Sequence, residues 1–366
     1  MKKYTYNEIT TFQYVCLIIG TQIGAGFLSL PSVLAQKAGS DGWMAIIIGW
    51  LFSIVSSIFL VKTAEKYPNE TIYDILIRLF GKILGKAIIL IFLLYCICFS
   101  WLIMINTLLY INGWFLPNTP DYIIVLIFSI PTLLVVRNGL RIIGRYAELV
   151  FYLTMWFPLL FLLPLKDGSL LHLLPLFKVG WKSIAAAELP AIYSFFGFEL
   201  TFFFYPFLQK KQYAVRGIVV ANTFVMLFYL IVTLCCFVFF SPDDIADFNQ
   251  PVLNLLKVIE FHFLERIDLI ILNVLLLIAS RAWIMYMYCA VYCSSQLMKK
   301  QDHSGHVPVL LGLFIGATFF IHPTWLQFKT WQKWISYTGI GVAFIFPLLL
   351  WIYTSIYEKY IRRKFS

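Results

Sequence analysis

Charged residues are scarce in this chain, and the scarcity excludes most soluble proteins. Asp, Glu, Lys and Arg make up 13% of the 366 residues, whereas hydrophobic residues make up 61% and the mean hydropathy is +0.84. Soluble domains carry about 25% charged and about 45–50% apolar residues. The composition therefore predicts an integral membrane protein that contacts the lipid bilayer over most of its length.

Residue patterns typical of metal sites and catalytic centres are also missing. The seven cysteines form no CxxC pair, and no histidine accompanies them at a metal-ligand spacing. The sequence has no Ser-His-Asp arrangement and no phosphate-binding loop. We expect neither an enzyme nor a metal or other cofactor.

Apolar windows of about 20 residues predict ten membrane spans and no separate soluble domain, so residues 1–366 form one transmembrane domain. The predicted spans cover roughly the following residues: 11–36, 42–61, 84–113, 121–136, 142–165, 184–208, 213–240, 267–298, 307–321 and 335–357.

The basic residues predict the orientation of these spans. With both termini in the cytoplasm, 19 Lys and Arg residues fall in cytoplasmic segments and 8 in outer segments. Cytoplasmic loops of membrane proteins are enriched in these residues. The net charge of +10 is thereby explained without a nucleic-acid partner.

The first span is interrupted by a glycine-rich run that begins at Gly20 and includes Gly24 and Gly26. Glycine weakens a helix and exposes backbone amides and carbonyls, which a membrane tolerates only where they line a cavity or bind something. A helix broken near mid-membrane is typical of a small-solute site in transporters.

The sixth span is interrupted as well, by Pro190 and Gly197. It comes five spans after the first, so the two cross the membrane in opposite directions. Discontinuous helices at matching positions of two inverted halves indicate a binding site between them. We predict a 5+5 inverted repeat, with one repeat over about 11–165 and the other over about 184–357; the alternative is two unrelated kinks.

These two runs resemble the amino acid–polyamine–organocation transporters. Residues 20–26 and 197–199 carry the similarity, which implies the inverted-repeat fold of the sodium-coupled leucine transporter. The chain is more similar still to the B subunits of spore germinant receptors (GerAB-type proteins), through its ten predicted spans, the opening from Tyr6 to Thr10 and the run from Ile23 to Pro31.

The candidate ligand-binding residues lie at the two breaks. The amides of Gly24, Ala25 and Gly26 can hold a carboxylate at the start of the outer half-helix; the alternative is close helix packing. Gln22 belongs to the same run. In the resembled fold, the unwound part of span six supplies the side-chain wall, here Phe195, Phe196, Gly197 and Phe198, although phenylalanines can equally face lipid or core.

Four charged residues within apolar spans are candidates for charge coupling or for structural roles. Glu199 and Glu188 can take part in proton coupling, or can sit at a helix end or pair with Arg281. In the resembled fold span eight faces span one at an ion site, so Arg281 can replace that ion with a permanent charge. Glu148 is expected to pair with Arg145, three residues earlier on the same helix face.

The resemblance implies a B subunit of a nutrient germinant receptor in the spore inner membrane or cell membrane. Such a subunit binds a small solute, for example an amino acid, and signals to A- and C-type partner subunits. The alternative is a proton-coupled amino-acid transporter with Glu199 as proton carrier. A structural scaffold is disfavoured, because it needs no broken helices.

Overall fold

The computed structural model describes residues 7–175, 177–178, 180–259, 267–300 and 302–365, and this part of the chain contains helices and no strand. The sixteen α-helices are, in order, α1 Thr11–Gln22, α2 Leu30–Ala38, α3 Trp43–Glu65, α4 Ile72–Trp114, α5 Asp121–Val136, α6 Leu140–Thr154, α7 Phe157–Leu160, α8 Gly180–Ser194, α9 Thr201–Phe204, α10 Ala214–Phe239, α11 Pro242–Asp247, α12 Pro251–Lys257, α13 Ile267–Leu297, α14 His306–Phe320, α15 Trp325–Ile340 and α16 Phe346–Phe365.

Each of the ten predicted spans overlaps a helix or a group of consecutive helices. Six helical stretches among the described residues are long and apolar enough to cross a membrane, and α5 and α14 are shorter apolar helices. The two interrupted spans are divided into pieces that are individually too short. The number of crossings and the inverted relation of the halves remain predictions, as do the cytoplasmic termini, of which residues 1–6 lie outside the described residues.

The third predicted span begins earlier in the structure than the apolar window indicated. α4 starts at Ile72, because the Thr71 hydroxyl and the Asp74 carboxylate form a reciprocal capping box there. Gly81 has φ +78°, a non-helical conformation inside this long helix. The segment before Gly81 is therefore a separate helical piece, joined to the span by a kink.

The last predicted span also differs from expectation. Thr324 and Gln327 form a capping box that starts α15 at Trp325, ten residues before the predicted boundary. α15 then continues through a π-helical turn, Gly341–Ile345, into α16. Polar residues of α15 lower the mean hydropathy of a window placed over this helix, so its start was not predicted. Three of them, Lys329, Gln332 and Lys333, line a cavity.

The core of the bundle is formed around α1. This helix packs against α6, α10 and α13, and α13 in turn lies along α4. At its start, α1 is attached to the chain that follows the second break: the Ile9 amide donates to the Phe207 carbonyl at 2.9 Å, and the Gln209 amide donates to the Ile9 carbonyl at 3.1 Å. We call this pair of bonds the Ile9 clasp.

Candidate functional site

The break in the first predicted span lies between α1 and a short 3-10 helix, Ala25–Leu28. Ile23 leaves helical geometry with ψ 88°, and Gly24 is extended with φ −105° and ψ −166°. α2 then resumes with Pro31 in its first turn, where a missing amide proton costs nothing. The predicted discontinuity is thus present, and it begins at the glycine run.

The second break follows α8, which ends at Ser194. Gly197 has φ +126°, a conformation that residues with a side chain rarely adopt, and an added Cβ would lie 2.8 Å from Thr21 atoms. A 3-10 helix, Phe198–Leu200, leads into α9. Glycine is therefore required here both by its backbone conformation and by the close approach of α1.

Side chains connect the two breaks directly. The Gln22 side-chain amide donates to the Phe195 carbonyl and to Asn222 Oδ1, each at 2.8 Å. The Tyr229 hydroxyl lies 2.8 Å from the Gln22 carbonyl and 2.9 Å from the Ser194 carbonyl, and donates its single proton to one of them at a time. These bonds hold the ends of α1 and α8 against α10.

Gln22 nevertheless keeps one unused hydrogen-bonding atom. Its side chain is 4% exposed, and both amide protons are taken up by the bonds to Phe195 and Asn222. The Oε1 atom is buried without a donor. A buried acceptor without a partner is costly, so Oε1 is available to a donor group of a ligand.

A cavity of about 220 Å³ lies beside the first break. Its walls come from the first break and α2, from α4, from the end of α8, from α10 and from α15. The lining residues used below are Gln22, Gly24, Ala25, Gly26, Phe99, Asn106, Tyr193, Phe196, Lys329, Gln332, Lys333 and Ser336. An added Cβ at Gly26 would meet nothing within 4 Å, so this glycine borders open space.

The predicted ligand-binding residues separate into two groups. Gln22, Gly24, Ala25, Gly26 and Phe196 line the cavity. Phe195, Gly197 and Phe198 do not line it: the Phe195 ring packs edge-on against Tyr229, and the Phe198 ring packs edge-on against Phe344. The second break therefore presents one of its predicted aromatic side chains to the cavity and buries the other two.

Phe196 is positioned by a glycine on the facing helix. An added Cβ at Gly339 of α15 would lie 2.1 Å from Phe196 Cε2, so the ring occupies the space that a side chain would fill. The ring also contacts Phe99 and Tyr193, with centroids 6.0 Å and 5.4 Å away. Together these aromatic rings form one wall of the cavity.

Glu199 is buried, 1% exposed, and its carboxylate is fully hydrogen-bonded. Oε1 accepts from the Tyr95 and Tyr286 hydroxyls, each at 2.8 Å, and Oε2 accepts from the Gly197 amide at 2.7 Å. The three donors satisfy both oxygens of the carboxyl group. The arrangement ties the second break to α4 and α13, and Glu199 does not line the cavity.

Arg281 is 3% exposed and packs on Gly20, where an added Cβ would lie 3.1 Å from Arg281 Cβ. Its Nε and Nη1 atoms are buried without a hydrogen-bond partner. Within the described ranges it forms no ion pair with a carboxylate, so the predicted pairing with Glu199 or Glu188 does not occur. Arg281 does face the first span, as its predicted ion-replacing role requires.

The other two carboxylates lie outside the cavity lining. Glu148 accepts from the Gln13 side-chain amide at 3.1 Å, and the expected pair with Arg145 is not among the ion pairs of the described residues. Both carboxylate oxygens of Glu188, on α8, are buried without a hydrogen-bond partner. A role for either residue in charge coupling remains a prediction.

Sequence reasoning missed one wall of the cavity, the one supplied by α15. Lys329, Gln332, Lys333 and Ser336 follow one another at intervals of three, one and three residues, which places them on one helix face. Polar residues lowered the hydropathy of the segment, so the span was predicted to begin at residue 335, after Lys329, Gln332 and Lys333. Their helical periodicity was the signal that could have revealed the wall.

Solved structures define the class to which this fold belongs. A Na+-coupled sialic acid symporter in a substrate-bound outward-open state has a TM-score of 0.69 at 14% identity, over 92% of this chain and 77% of that chain. MhsT in complex with L-phenylalanine has a TM-score of 0.67 at 13% identity, over 93% and 87%. The predicted fold is confirmed: the chain has the leucine-transporter fold.

Sequence comparison identifies the family within that class. The model of a family described as "Spore germination protein" matches residues 8–329, and the chain belongs to this family. "Spore germination protein YndE" of Bacillus subtilis is 26% identical over 83% of this chain and 86% of that protein. "Spore germination protein B2" of the same organism is 25% identical over 96% and 97%, and "Spore germination protein GerQB" of Bacillus cereus is 24% identical over 73% and 74%.

Proposed function

We propose that this protein is the B subunit of a nutrient germinant receptor and binds a small solute, such as an amino acid, in the cavity beside its first break. One observation carries the proposal: the interrupted backbone at Gly24–Gly26 borders a cavity within a transporter fold. Irregular backbone inside a membrane persists where it lines such a space. The family membership supports spore germination as the process.

The chemistry of the lining suits an amino acid. The first amides of the short 3-10 helix have no partner within that helix and can donate to a carboxylate. Gln22 Oε1 can accept from an ammonium group. Phe99, Tyr193 and Phe196 supply an aromatic wall for a side chain. The three features match the three parts of an α-amino acid.

Signalling requires that the solute bind two arrangements of the bundle with different affinity. The breaks are joined by Gln22 and Tyr229, so a ligand that draws the first break inward also moves α8 and α10. We place the receiving A- and C-type subunits beside this bundle in the spore inner membrane, with both termini of the chain in the cytoplasm.

The direct test is germination of spores that lack this chain, against a panel of single nutrients. Loss of the response to one nutrient, with uptake of that nutrient into growing cells unchanged, supports the receptor. Normal germination with loss of one nutrient's uptake overturns it and favours the proton-coupled transporter. The Glu199 carboxylate is held by three donors away from the cavity, which disfavours it as the proton carrier.

A point variant connects that phenotype to the cavity. Gly26→Leu fills open space without backbone strain, because an added Cβ at Gly26 meets no atom. We expect normal protein levels in spores and loss of the nutrient response. Gly312→Leu, at an exposed glycine of α14 whose Cβ position is equally open, is the matched control and should respond normally.

A further inference from the structure

The charge of the cavity distinguishes among possible solutes. Two lysines of α15, Lys329 and Lys333, line it, and no Asp or Glu is among its lining residues in the described part of the chain. The remaining polar lining is neutral, from side chains such as Gln22, Asn106 and Gln332. The cavity is therefore positive, with no compensating charge within its lining.

The partners of these lysines leave their charge available. Lys329 Nζ donates to Asn249 Oδ1 at 3.1 Å, and an amide oxygen carries no formal charge. Lys333 forms no hydrogen bond or ion pair with the residues that the structure describes. Both side chains are exposed, so their ammonium groups lie at the mouth of the cavity.

The helix geometry directs both charges at the same space. Lys329 and Lys333 are four residues apart, one turn of α15, with Gln332 and Ser336 on the same face. Two like charges at this spacing repel each other and weaken the helix slightly. An anionic group between them relieves that repulsion, and a neutral ligand does not.

We infer that the solute carries a net negative charge, as a dicarboxylic amino acid or a comparable small carboxylate does. The inference rests on the proposed function, because it assigns a charge to the ligand of the same cavity. The deep end, at Gln22 and Gly26, takes the amino-acid backbone, while the lysines at the mouth attract the additional carboxylate and speed its approach.

Isosteric ligand pairs test the inference on the purified full-length protein in nanodiscs of phosphatidylcholine, which has no net charge. The probes are L-glutamate against L-glutamine, L-aspartate against L-asparagine, and L-alanine as a small neutral ligand. At low ionic strength we expect each acid to bind at least about fivefold more tightly than its amide, the range of one or two exposed charge pairs. Added salt should reduce the difference, because it screens these charges.

Charge variants assign the preference to α15. The double variant Lys329→Gln/Lys333→Gln should bind acid and amide within about twofold of each other, and Lys333→Glu should bind the acids more weakly than the amides. Lys37→Gln removes an exposed lysine of α2 that does not line the cavity, and should keep the wild-type preference.

The outcomes separate this inference from the proposed function. Equal binding of acids and amides by the wild type, or an acid preference that survives in the double variant, overturns the charge inference and leaves solute binding intact. Binding of L-alanine but of neither acid has the same meaning. If no member of the panel binds at millimolar concentration, the solute site fails, and the charge inference fails with it.

Discussion

The two breaks each contain glycine, but they differ in what surrounds it. At the first break, Gly24 and Gly26 line open space, and an added Cβ at Gly26 meets nothing. At the second, Gly197 lies against Thr21, its amide is bonded to Glu199, and Phe198 is fully buried. One break is left open to a ligand, whereas the other is closed by the protein itself.

This difference shows that two helix breaks in one bundle can have different roles. Unpaired backbone within a membrane must find partners. At the second break the Gly197 amide donates to Glu199 and the Gly197 carbonyl accepts from Thr21, so the role of this break is structural. At the first break the Gly24 amide donates to the Gln22 carbonyl and the Ala25 carbonyl accepts from the Tyr110 hydroxyl, but the backbone still borders the cavity, so binding energy from a solute can act there.

The largest effect on stability is expected from a substitution that strains the backbone of the second break. Gly197→Ala places a Cβ 2.8 Å from Thr21 in a conformation with φ +126°. Strain and overpacking each cost about 1–3 kcal/mol, so we expect a loss of roughly 3 kcal/mol or more, seen as a lower melting temperature and a lower yield in detergent. A variant that melts like wild type would show that the backbone of the second break can move to accept a side chain at position 197.

A smaller loss is expected from Glu199→Gln, which replaces one of the two carboxyl oxygens that accept from three donors with an amide group that cannot accept. A buried donor left without its acceptor costs about 1–3 kcal/mol, so the melting temperature should fall. Tyr286→Phe alone should also destabilise the fold, and the double variant should lose less than the sum, because both changes remove one shared bond. If the losses of stability in the double variant were strictly additive, Glu199 and Tyr286 would not stabilise the fold through a shared hydrogen bond.

The contribution of the hydrogen bond between the two breaks can be measured with Thr21→Val. The Thr21 hydroxyl lies 2.7 Å from the Ile18 carbonyl and 3.2 Å from the Gly197 carbonyl on the other break. Thr63→Val is the matched control, since the buried Thr63 hydroxyl bonds only within its own helix, to the Phe59 carbonyl at 2.8 Å. We expect Thr21→Val to be the more destabilising in thermal melts, by about 1 kcal/mol.

The smallest effect on stability should come from the open break. Gly26→Ala adds a methyl group to empty space, so the free energy of unfolding of this variant, measured in thermal melts, should stay within about 0.5 kcal/mol of wild type. Binding of the solute should nevertheless weaken, because the methyl group occupies ligand space. Destabilisation as large as that of Gly197→Ala would erase the distinction between the two breaks.

The sequence predicted the two breaks well where glycine causes them, because a glycine acts locally. The runs around Gly24 and Gly197 interrupt their helices as expected, whereas Pro190 was wrongly expected to do so: it lies inside α8, which continues to Ser194. It predicted the cavity lining less well, because lining depends on how side chains turn in three dimensions. Phe196 faces the cavity, while Phe195 and Phe198, its near neighbours, are buried elsewhere.

The polar partners were harder still to predict, because they come from distant parts of the chain. Glu199 is bonded to Tyr95 and Tyr286, which are ordinary aromatic residues of apolar spans when the sequence is read alone. Three residues of the polar wall of α15, Lys329, Gln332 and Lys333, fell outside the predicted spans, since a hydropathy window averages over both faces of a helix. Pattern within a segment is visible in a sequence, whereas pairing between segments is not.

The Ile9 clasp limits how the bundle can move. α1 has 12 residues, so it spans roughly 18 Å between the clasp and the first break. It is a short rod attached at one end by Ile9 and at the other by Gln22. A helix that is held at both ends cannot swing about either one. Movement of the start of α1 away from the chain that follows the second break would first require both backbone bonds of the clasp to open, so the clasp opposes this motion.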